Sequence, residues 1–270
     1  MKLGLFGRAV SHSRSPRLFA RLSRALKKRM SYERVPVAPG LLPVACAWAK
    51  VVGWTGASVT IPYKLEAFEL CEKTTPAAQA IGAVNALKFG KRLEGHNTDG
   101  DGLSDALRRV KAPLKGATVI VFGSGGGARA AGYAAALNGA LTVKFFARNK
   151  ATAKVTANQL KSRFPSTSFT IADQRRSASD VWINATPLGM KGQPSKSPVP
   201  NHFKAPSFAY DLVYGRRTPF LAQAKRLGAR TEDGKSMLAF QALRALEFWG
   251  VPLGPKKRAA LAEALIQELS

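Results

Sequence analysis

Gly123, Gly125 and Ala128, in the stretch VIVFGSGGGARAA, stand at G-x-G-x-x-A spacing. The chemistry this pattern offers is the holding of a pyrophosphate. An apolar, strand-like run leads into it and an alanine-rich, helix-like run leads out, which is the context the mechanism needs. Gly123 permits a tight turn, Gly125 lets a phosphate come up against the main chain, and Ala128 lets helix and strand pack closely. The N–H groups that open the helix then face the anion. A site for NAD carries Asp or Glu ~20 residues further on to grip the ribose 2′-hydroxyl. Here KFFARNK closes the next strand with Arg148, Asn149 and Lys150. A cation stands where the acid would be, and a guanidinium suits a 2′-phosphate. The loop therefore reads as a site for NADP(H), with Arg148, and Lys150 or Lys154 beside it, as the selective charges.

Three polar clusters end elements in the first half of the chain. SHSRSP sets Ser13 and Ser15 two apart at a strand-to-helix junction. Two hydroxyls and the helix N–H groups suit a carboxylate; the same residues also read as plain capping by Ser15, with Pro16 at the first helical position. SVTIPYK supplies Thr60 and Lys64, and GAVNAL supplies Asn85. Val59, Thr60 and Ile61 read as a strand that Pro62 stops, having no N–H for a sheet ladder. Lys64, just past it, is either a solvated surface charge or part of a site. HNTDGDG supplies Asn97, Thr98 and Asp99, and equally reads as an ordinary turn.

These groups hang on an alternating order of elements. KLGLFG, SYERVPV and GASVTI read as strands, separated by a basic helix after Pro16 and a helix in LLPVACAWAKVV. A helix follows from about Tyr63 to Cys71, and AVNALKFGKRLEGHN reads as a hairpin around Gly90. A second run has a helix in GDGLSDALRRV, a buried strand ATVIVFG, a helix GARAAGYAAAL, a strand ALTVKFFA and a helix NKATAKVTANQLKSRF that Pro165 closes. DVWINAT and SFAYDLVY read as further strands, PLGMKGQPSKSPVPNHF as a loop, and Ser236 to Ser270 as two helices broken at GVPLGP. Strands alternating with helices predict an α/β fold with mostly parallel sheets. The expected organisation is a discontinuous domain of residues 1–100 and 236–270, and a Rossmann-like dinucleotide-binding domain of residues 101–235, with a cleft between them.

Composition removes several classes. The chain has 270 residues, of which 46% are hydrophobic and 21% charged, enough for a proper core. Cys46 and Cys71 share no ligand or redox spacing, and His12, His96 and His202 are scattered, so neither a disulfide framework nor a metal site is expected. Two reduced thiols suit the cytoplasm. MKLGLFGRAV does not read as a signal peptide, and LLPVACAWAKVVGW is too short to span a bilayer. The net charge is +26, from 42 Lys and Arg against 16 acids. Such a field attracts anions. Arg17, Arg21, Arg24 and Lys28 recur at helical spacing, which reads as the solvated face of an amphipathic helix. No zinc knuckle, RNA-binding aromatic signature or helix-turn-helix pattern supports a nucleic-acid surface.

SHSRSP, SVTIPYK, GAVN, NTDG, GSGGGA, NATPLGM, YDLVYGRRTPFL and GKSMLAFQA occur in an order that resembles the shikimate dehydrogenase family over nearly the whole chain. The resemblance implies reduction of 3-dehydroshikimate to shikimate with NADPH in aromatic amino-acid biosynthesis, by a monomer or homodimer. It implies that Ser13 and Ser15 bind the substrate carboxylate, and that Thr60, Asn85, Asp99 and Gln241 bind ring hydroxyls, with Tyr214 close by. Lys64 matches the family's catalytic lysine and Asp99 its partner. Gly123, Ser124, Gly125, Gly126 and Gly127 would hold the pyrophosphate and Arg148 the 2′-phosphate, with Asn149 and Lys150 beside it. Thr186, Leu212 and Gly234 match positions near the nicotinamide half. The sequence departs from the common pattern at GRAVSHS, where a proline is replaced. Ser58 stands where many members carry asparagine, ARN where they carry Asn-Arg-Thr, and Thr152 where a later Arg falls. ARN and LGMKG are similar to stretches of shikimate dehydrogenase-like members. Two alternatives are a sister oxidoreductase acting on quinate or a related cyclohexane acid, and a basic nucleic-acid-binding or regulatory protein on the same fold.

Overall fold

A computed structural model describes residues 1–173 and 178–269. The chain forms two compact units. One comprises Met1–Gly102 and Ala239–Gln267, the other Leu103–Leu238 with the last residues of the chain.

The first unit is built on strands β1 (Lys2–Gly7), β2 (Ser31–Pro36), β3 (Gly56–Val59), β4 (Lys73–Thr74), β5 (Ala86–Lys88) and β6 (Glu94–His96), with helices α1 (Ser15–Ala25), α2 (Leu42–Val51), α3 (Lys64–Leu70) and α4 (Pro76–Ile81) between them. The strand order is β2-β1-β3-β5-β6-β4. β1 pairs in parallel with β2 and β3, while β3–β5 and β5–β6 are antiparallel. β1 is flanked on both sides and nearly all buried, as the continuous apolar run of a parallel strand requires. Gly4 matters there: a Cβ would fall 2.0 Å from the Trp54 ring, so only glycine lets that indole lie on the strand. The core gathers Phe6, Leu42, Trp54, Ala57, Val59 and Tyr63.

Helix α5 (Thr98–Arg109) leads into the second unit. Its strands are β7 (Thr118–Phe122), β8 (Thr142–Phe146), β9 (Ser168–Ile171), β10 (Val181–Asn184), β11 (Phe208–Asp211) and β12 (Arg230–Glu232), with helices α6 (Gly126–Leu137), α7 (Lys150–Arg163) and α8 (Pro219–Arg226). All neighbours are parallel, in the order β12-β11-β10-β7-β8-β9. Counted within the unit this is the dinucleotide-binding order, whose direction reverses between β7 and β10. Phe122 is at the centre of an aromatic core, edge-on to Phe146, Trp182 and Phe220. Helices α9 (Lys235–Phe248) and α10 (Gly254–Leu269) close the chain. Trp249, just past α9, donates from Nε1 to the Leu87 carbonyl at 2.8 Å.

Several details differ from the sequence reading. Ser15 is not the cap of α1: the helix begins at Ser15, and the Ser13 hydroxyl accepts the Ser15 N–H at 3.2 Å. Asn97-Thr98-Asp99-Gly100 is not a turn but the start of α5, because Asn97 Oδ1 accepts the Gly100 N–H at 3.1 Å, the bond an N-cap makes. The strands β4, β9 and β12 and the helices α4 and α8 are absent from that reading. Each is eight residues or fewer, too short for periodicity to declare. Among the described residues, no helix is long and apolar enough to cross a membrane, and no group of His, Cys, Asp and Glu could hold a metal ion.

Candidate functional site

In the first unit the site residues collect beyond the ends of β1 and β3. The ladder continues past β3, with the Thr60 N–H donating to the Phe6 carbonyl at 2.9 Å and the Val59 N–H to the Asn85 carbonyl at 2.8 Å. A turn closed by the Tyr63 N–H on the Thr60 carbonyl (3.0 Å) then starts α3 at Lys64. The Tyr63 hydroxyl anchors that turn to the Val37 carbonyl at 2.7 Å. Lys64 is thus fixed by its backbone, and its carbonyl also accepts the Val84 N–H at 2.8 Å.

The Lys64 ammonium lies 2.5 Å from Asp99 Oδ2, with side chains 20% and 11% exposed. Asp99 sits in the first turn of α5, where a carboxylate is favoured by the helix dipole. Asn85 ties the same turn to the sheet: its Oδ1 accepts the Thr98 N–H at 2.7 Å, and its Nδ2 donates to the Thr98 hydroxyl at 3.0 Å. Asn97 adds a bond from Nδ2 to the Ala83 carbonyl at 2.9 Å. His96 braces the turn from outside, with Nε2 3.2 Å from Asp101 Oδ2 and Nδ1 2.7 Å from the Thr75 hydroxyl. Gln241 enters from α9. A Cβ on Gly102 would fall 2.6 Å from the Gln241 nitrogen, so α9 crosses α5 one turn after Asp99, on the same face.

Ser13 and Ser15 face one another, with hydroxyls 3.1 Å apart. The Ser13 carbonyl accepts from Arg34 at 2.7 Å. The Tyr32 hydroxyl is buried beside them and has no hydrogen-bond partner of normal geometry. Burial pushes its pKa well up, and the neighbouring Ser58 and Ser15 hydroxyls only temper that rise. Tyr32 also stacks on Phe19, with ring centroids 4.2 Å apart, so its hydroxyl is held in place.

In the second unit, residues at the carboxyl ends of β7, β10 and β11 come together. Gly123 has φ +120°, and a Cβ there would lie 3.1 Å from the Ala185 carbonyl oxygen. Gly125 caps α6, and a Cβ there would meet nothing within 4 Å; this is the open approach that a phosphate needs. Ser124, Gly126 and Gly127 complete the loop and the first turn of the helix. A Cβ on Gly127 would fall 3.2 Å from Leu212 Cδ2, and one on Gly234 only 2.2 Å from the Leu212 carbonyl oxygen. Gly234 is therefore glycine for steric reasons, while a side chain at Gly127 would have to displace the end of Leu212.

A buried polar chain fixes this end of the sheet. Thr186 donates from N and Oγ1 to Asn184 Oδ1, at 3.0 and 2.7 Å. Asn184 Nδ2 donates to Asp211 Oδ1 at 2.9 Å. Asp211 also accepts from the Val213 N–H at 3.0 Å and the Thr218 hydroxyl at 2.5 Å. Burial raises the Asp211 pKa to about 6, against the pull of the Thr218, Val213 and Asn184 hydrogen bonds. Past β8, Arg148, Asn149 and Lys150 are exposed. Asn149 is committed to capping α7, accepting the Thr152 N–H at 2.9 Å. Tyr214, half-buried after β11, belongs to the second unit, whereas Ser13, Ser15, Thr60, Lys64, Asn85, Asp99 and Gln241 all belong to the first.

Sequence reasoning overlooked Tyr32, His96, Asp101, Asn184, Asp211 and Thr218. His96 and Asp101 lie inside HNTDGDG, Asn184 inside NATPLGM, and Asp211 and Thr218 inside YDLVYGRRTPFL, all stretches already singled out, but no role was read for them there. Tyr32 lies in none of these stretches.

Comparisons with known proteins agree with this picture. The family model described as the shikimate dehydrogenase substrate binding domain matches residues 5–87. A curated protein named shikimate dehydrogenase (NADP(+)), from Citrifermentans bemidjiense, is 35% identical over 263 residues, covering 94% of this chain and 91% of that one. The crystal structure of shikimate 5-dehydrogenase from Thermus thermophilus, in complex with NADP(H) and shikimate, superposes with a TM-score of 0.85 at 30% identity, covering 98% of this chain and 99% of that one. Shikimate 5-dehydrogenase from Listeria monocytogenes, in complex with shikimate and NAD, gives a TM-score of 0.85 at 26% identity, covering 98% and 96%.

Proposed function

The chain belongs to the shikimate dehydrogenase family, and on that premise we propose that it catalyses the reversible NADPH-dependent reduction of 3-dehydroshikimate to shikimate, on the route to chorismate and the aromatic amino acids. The observation that carries the proposal is the ion pair of Lys64 with Asp99, held by backbone bonds at the end of the first sheet. The two cysteines are free, which suits a reducing compartment, and the reaction is assigned to the cytoplasm.

The residues of the second unit fit NADP(H). Gly125 leaves open space before α6, the first-turn N–H groups of that helix face an anion, and exposed Arg148 and Lys150 supply charge for a 2′-phosphate. Thr186, Leu212 and Gly234 would flank the nicotinamide half, held by the Asn184–Asp211–Thr218 chain. The cofactor supplies and takes back the hydride.

Everything else falls to the chain's own side chains. As the substrate carbonyl is reduced, negative charge grows on its oxygen. The Lys64 ammonium stabilises that charge and gives up a proton as the O–H bond forms; the neutral amine then regains a proton from solvent. Asp99 orients the lysine and accepts a hydrogen bond from a ring hydroxyl. Ser13 and Ser15 bind the carboxylate, and the Tyr32 hydroxyl joins them. Thr60, Asn85 and Gln241 bind ring hydroxyls, and Tyr214 is the further residue that the resemblance assigns to the substrate. Asn85 keeps one amide hydrogen beyond its bond to Thr98 for that purpose.

The test is a spectrophotometric assay of purified protein with shikimate and NADP⁺. Reduced nicotinamide should accumulate, and its accumulation should be lost in Lys64→Ala. No signal with shikimate from neutral to alkaline pH would contradict the proposal.

A further inference from the structure

Asp99 is carried by an intrinsically weak helix turn. Helix α5 opens Thr98-Asp99-Gly100-Asp101-Gly102, and glycine loosens a helix because its backbone has the most freedom to lose. Gly102 is forced by the neighbouring main chain, since its Cβ would fall 2.6 Å from the Gln241 nitrogen. Bonds from outside must therefore hold the turn. Asn85 takes the Thr98 N–H, and Asn97 takes the Gly100 N–H and reaches the Ala83 carbonyl. These bonds fix where the turn starts. Asp99 and Asp101 are two residues apart and leave the helix ~200° from one another. A grip on Asp101, the side away from Asp99, gives the leverage that sets the roll of the turn about its axis.

His96 supplies that grip. Its Nε2 lies 3.2 Å from Asp101 Oδ2 and its Nδ1 2.7 Å from the Thr75 hydroxyl. Thr75 Oγ1 already accepts the Ala78 N–H as the cap of α4. Its own hydrogen then goes to Nδ1, which leaves the ring hydrogen on Nε2, facing Asp101. The Phe248 ring of α9 lies against the imidazole, with centroids 5.2 Å apart, and the His96 side chain is only 13% exposed, so water competes little for these bonds. The His96 carbonyl accepts the Asn85 N–H at 3.1 Å. One residue thus joins α4, α5, α9 and the Asn85 backbone behind the Lys64–Asp99 pair.

We propose that His96 is a positioning residue for that pair: acting through Asp101, it sets the roll of the first turn of α5, and with it the place where Asp99 holds the Lys64 ammonium. His96 touches neither substrate nor cofactor in the assigned reaction. Its effect is on the direction of the proton donor, and a misplacement of ~1 Å at such a group is costly to turnover.

The kinetic arm of the test rests on the assigned reaction, and a second arm does not. His96→Ala should lower kcat with shikimate and NADP⁺ by roughly 10–100-fold, the worth of a hydrogen bond to a charged group, and leave KM for NADP⁺ unchanged. His96→Gln, whose amide offers both a donor and an acceptor, should restore most of the loss. In the Asp99→Asn background the same His96→Ala change should cost ~3-fold at most, because residues that act through one another are not additive. In NMR hydrogen exchange of the ligand-free protein, the Thr98 and Gly100 amides should exchange faster in His96→Ala and not in His96→Gln. Asp101→Ala breaks the same grip from the helix side and should match His96→Ala in every reading, which covers the case in which His96→Ala does not fold. An unchanged kcat, an equal fall in the Asp99→Asn background, a glutamine variant no better than alanine, or unaltered exchange would each overturn the proposal. If the wild type does not turn shikimate over, it is the assigned reaction that fails, and the exchange of the two amides decides on His96 by itself.

Discussion

Lys64 Nζ and Asp99 Oδ2 stand 2.5 Å apart although 35 residues separate them in sequence. The pair joins the start of α3 to the first turn of α5, and both backbones are tied to the first sheet. An ammonium fixed in this way has a set direction before any substrate arrives, which is the preorganisation that proton delivery to a growing oxyanion needs.

Replacing Lys64 by Ala should therefore lower kcat by ~10²–10⁴-fold, the range for a general acid–base group, while KM changes little. Asp99→Asn should lower kcat less and raise KM for shikimate, because it loosens the lysine and weakens a hydroxyl contact. Steady-state kinetics separate the two. A Lys64→Ala variant with full turnover would remove the lysine from its role.

Arg148 makes the cofactor prediction. Arg148→Ala should raise KM for NADP⁺ by roughly 10–100-fold, the worth of a charge-assisted hydrogen bond, and leave KM for NAD⁺ nearly unchanged. Equal effects on both cofactors would mean that Arg148 does not read the 2′-phosphate.

Tyr32 carries a buried hydroxyl near the Ser58 and Ser15 hydroxyls but in no hydrogen bond of normal geometry. Leaving such a group unsatisfied costs ~1–3 kcal/mol. Tyr32→Phe should therefore raise the melting temperature of the substrate-free protein, yet raise KM for shikimate several-fold with kcat little altered. A variant that binds shikimate as well as the wild type would exclude Tyr32 from the carboxylate site.

Asp211 predicts a pH dependence. Its folded-state pKa is raised to about 6 by burial, so the folded protein holds its proton more tightly than the unfolded chain. This contribution to stability is fully present below the unfolded value near ~4, falls as pH rises through about 6, and is flat above. Denaturant melts of the wild type and Asp211→Asn between pH 4 and 7 should therefore converge toward the acid end and separate toward the neutral end, with the variant gaining by ~3 kcal/mol at most. A difference that does not change with pH would contradict a raised pKa.

Much of this architecture was legible in the sequence because it rests on local signals. VIVFGSGGGARAA announces strand, loop and helix together, and β7, Gly123, Gly125 and α6 follow it. AVNALKFGKRLEGHN announces the pairing of β5 with β6. The misreading of NTDG has a plain cause: Asn, Asp and Gly suit a turn and a helix start alike, and only the bond from the Gly100 N–H to Asn97 decides between them. Tyr32 and Asp211 were invisible for another reason. Tyr32 matters through burial among residues of other elements, such as Phe19 of α1, and Asp211, although it lies within YDLVYGRRTPFL, through burial and its bond to Asn184 of β10.

The most direct test of the central claim is one assay run with shikimate or quinate paired with NADP⁺ or NAD⁺, followed by absorbance of the reduced nicotinamide. The structure and family predict that shikimate with NADP⁺ has the highest kcat/KM of the four pairings. Turnover of quinate above shikimate, or no turnover in any pairing, would contradict the account.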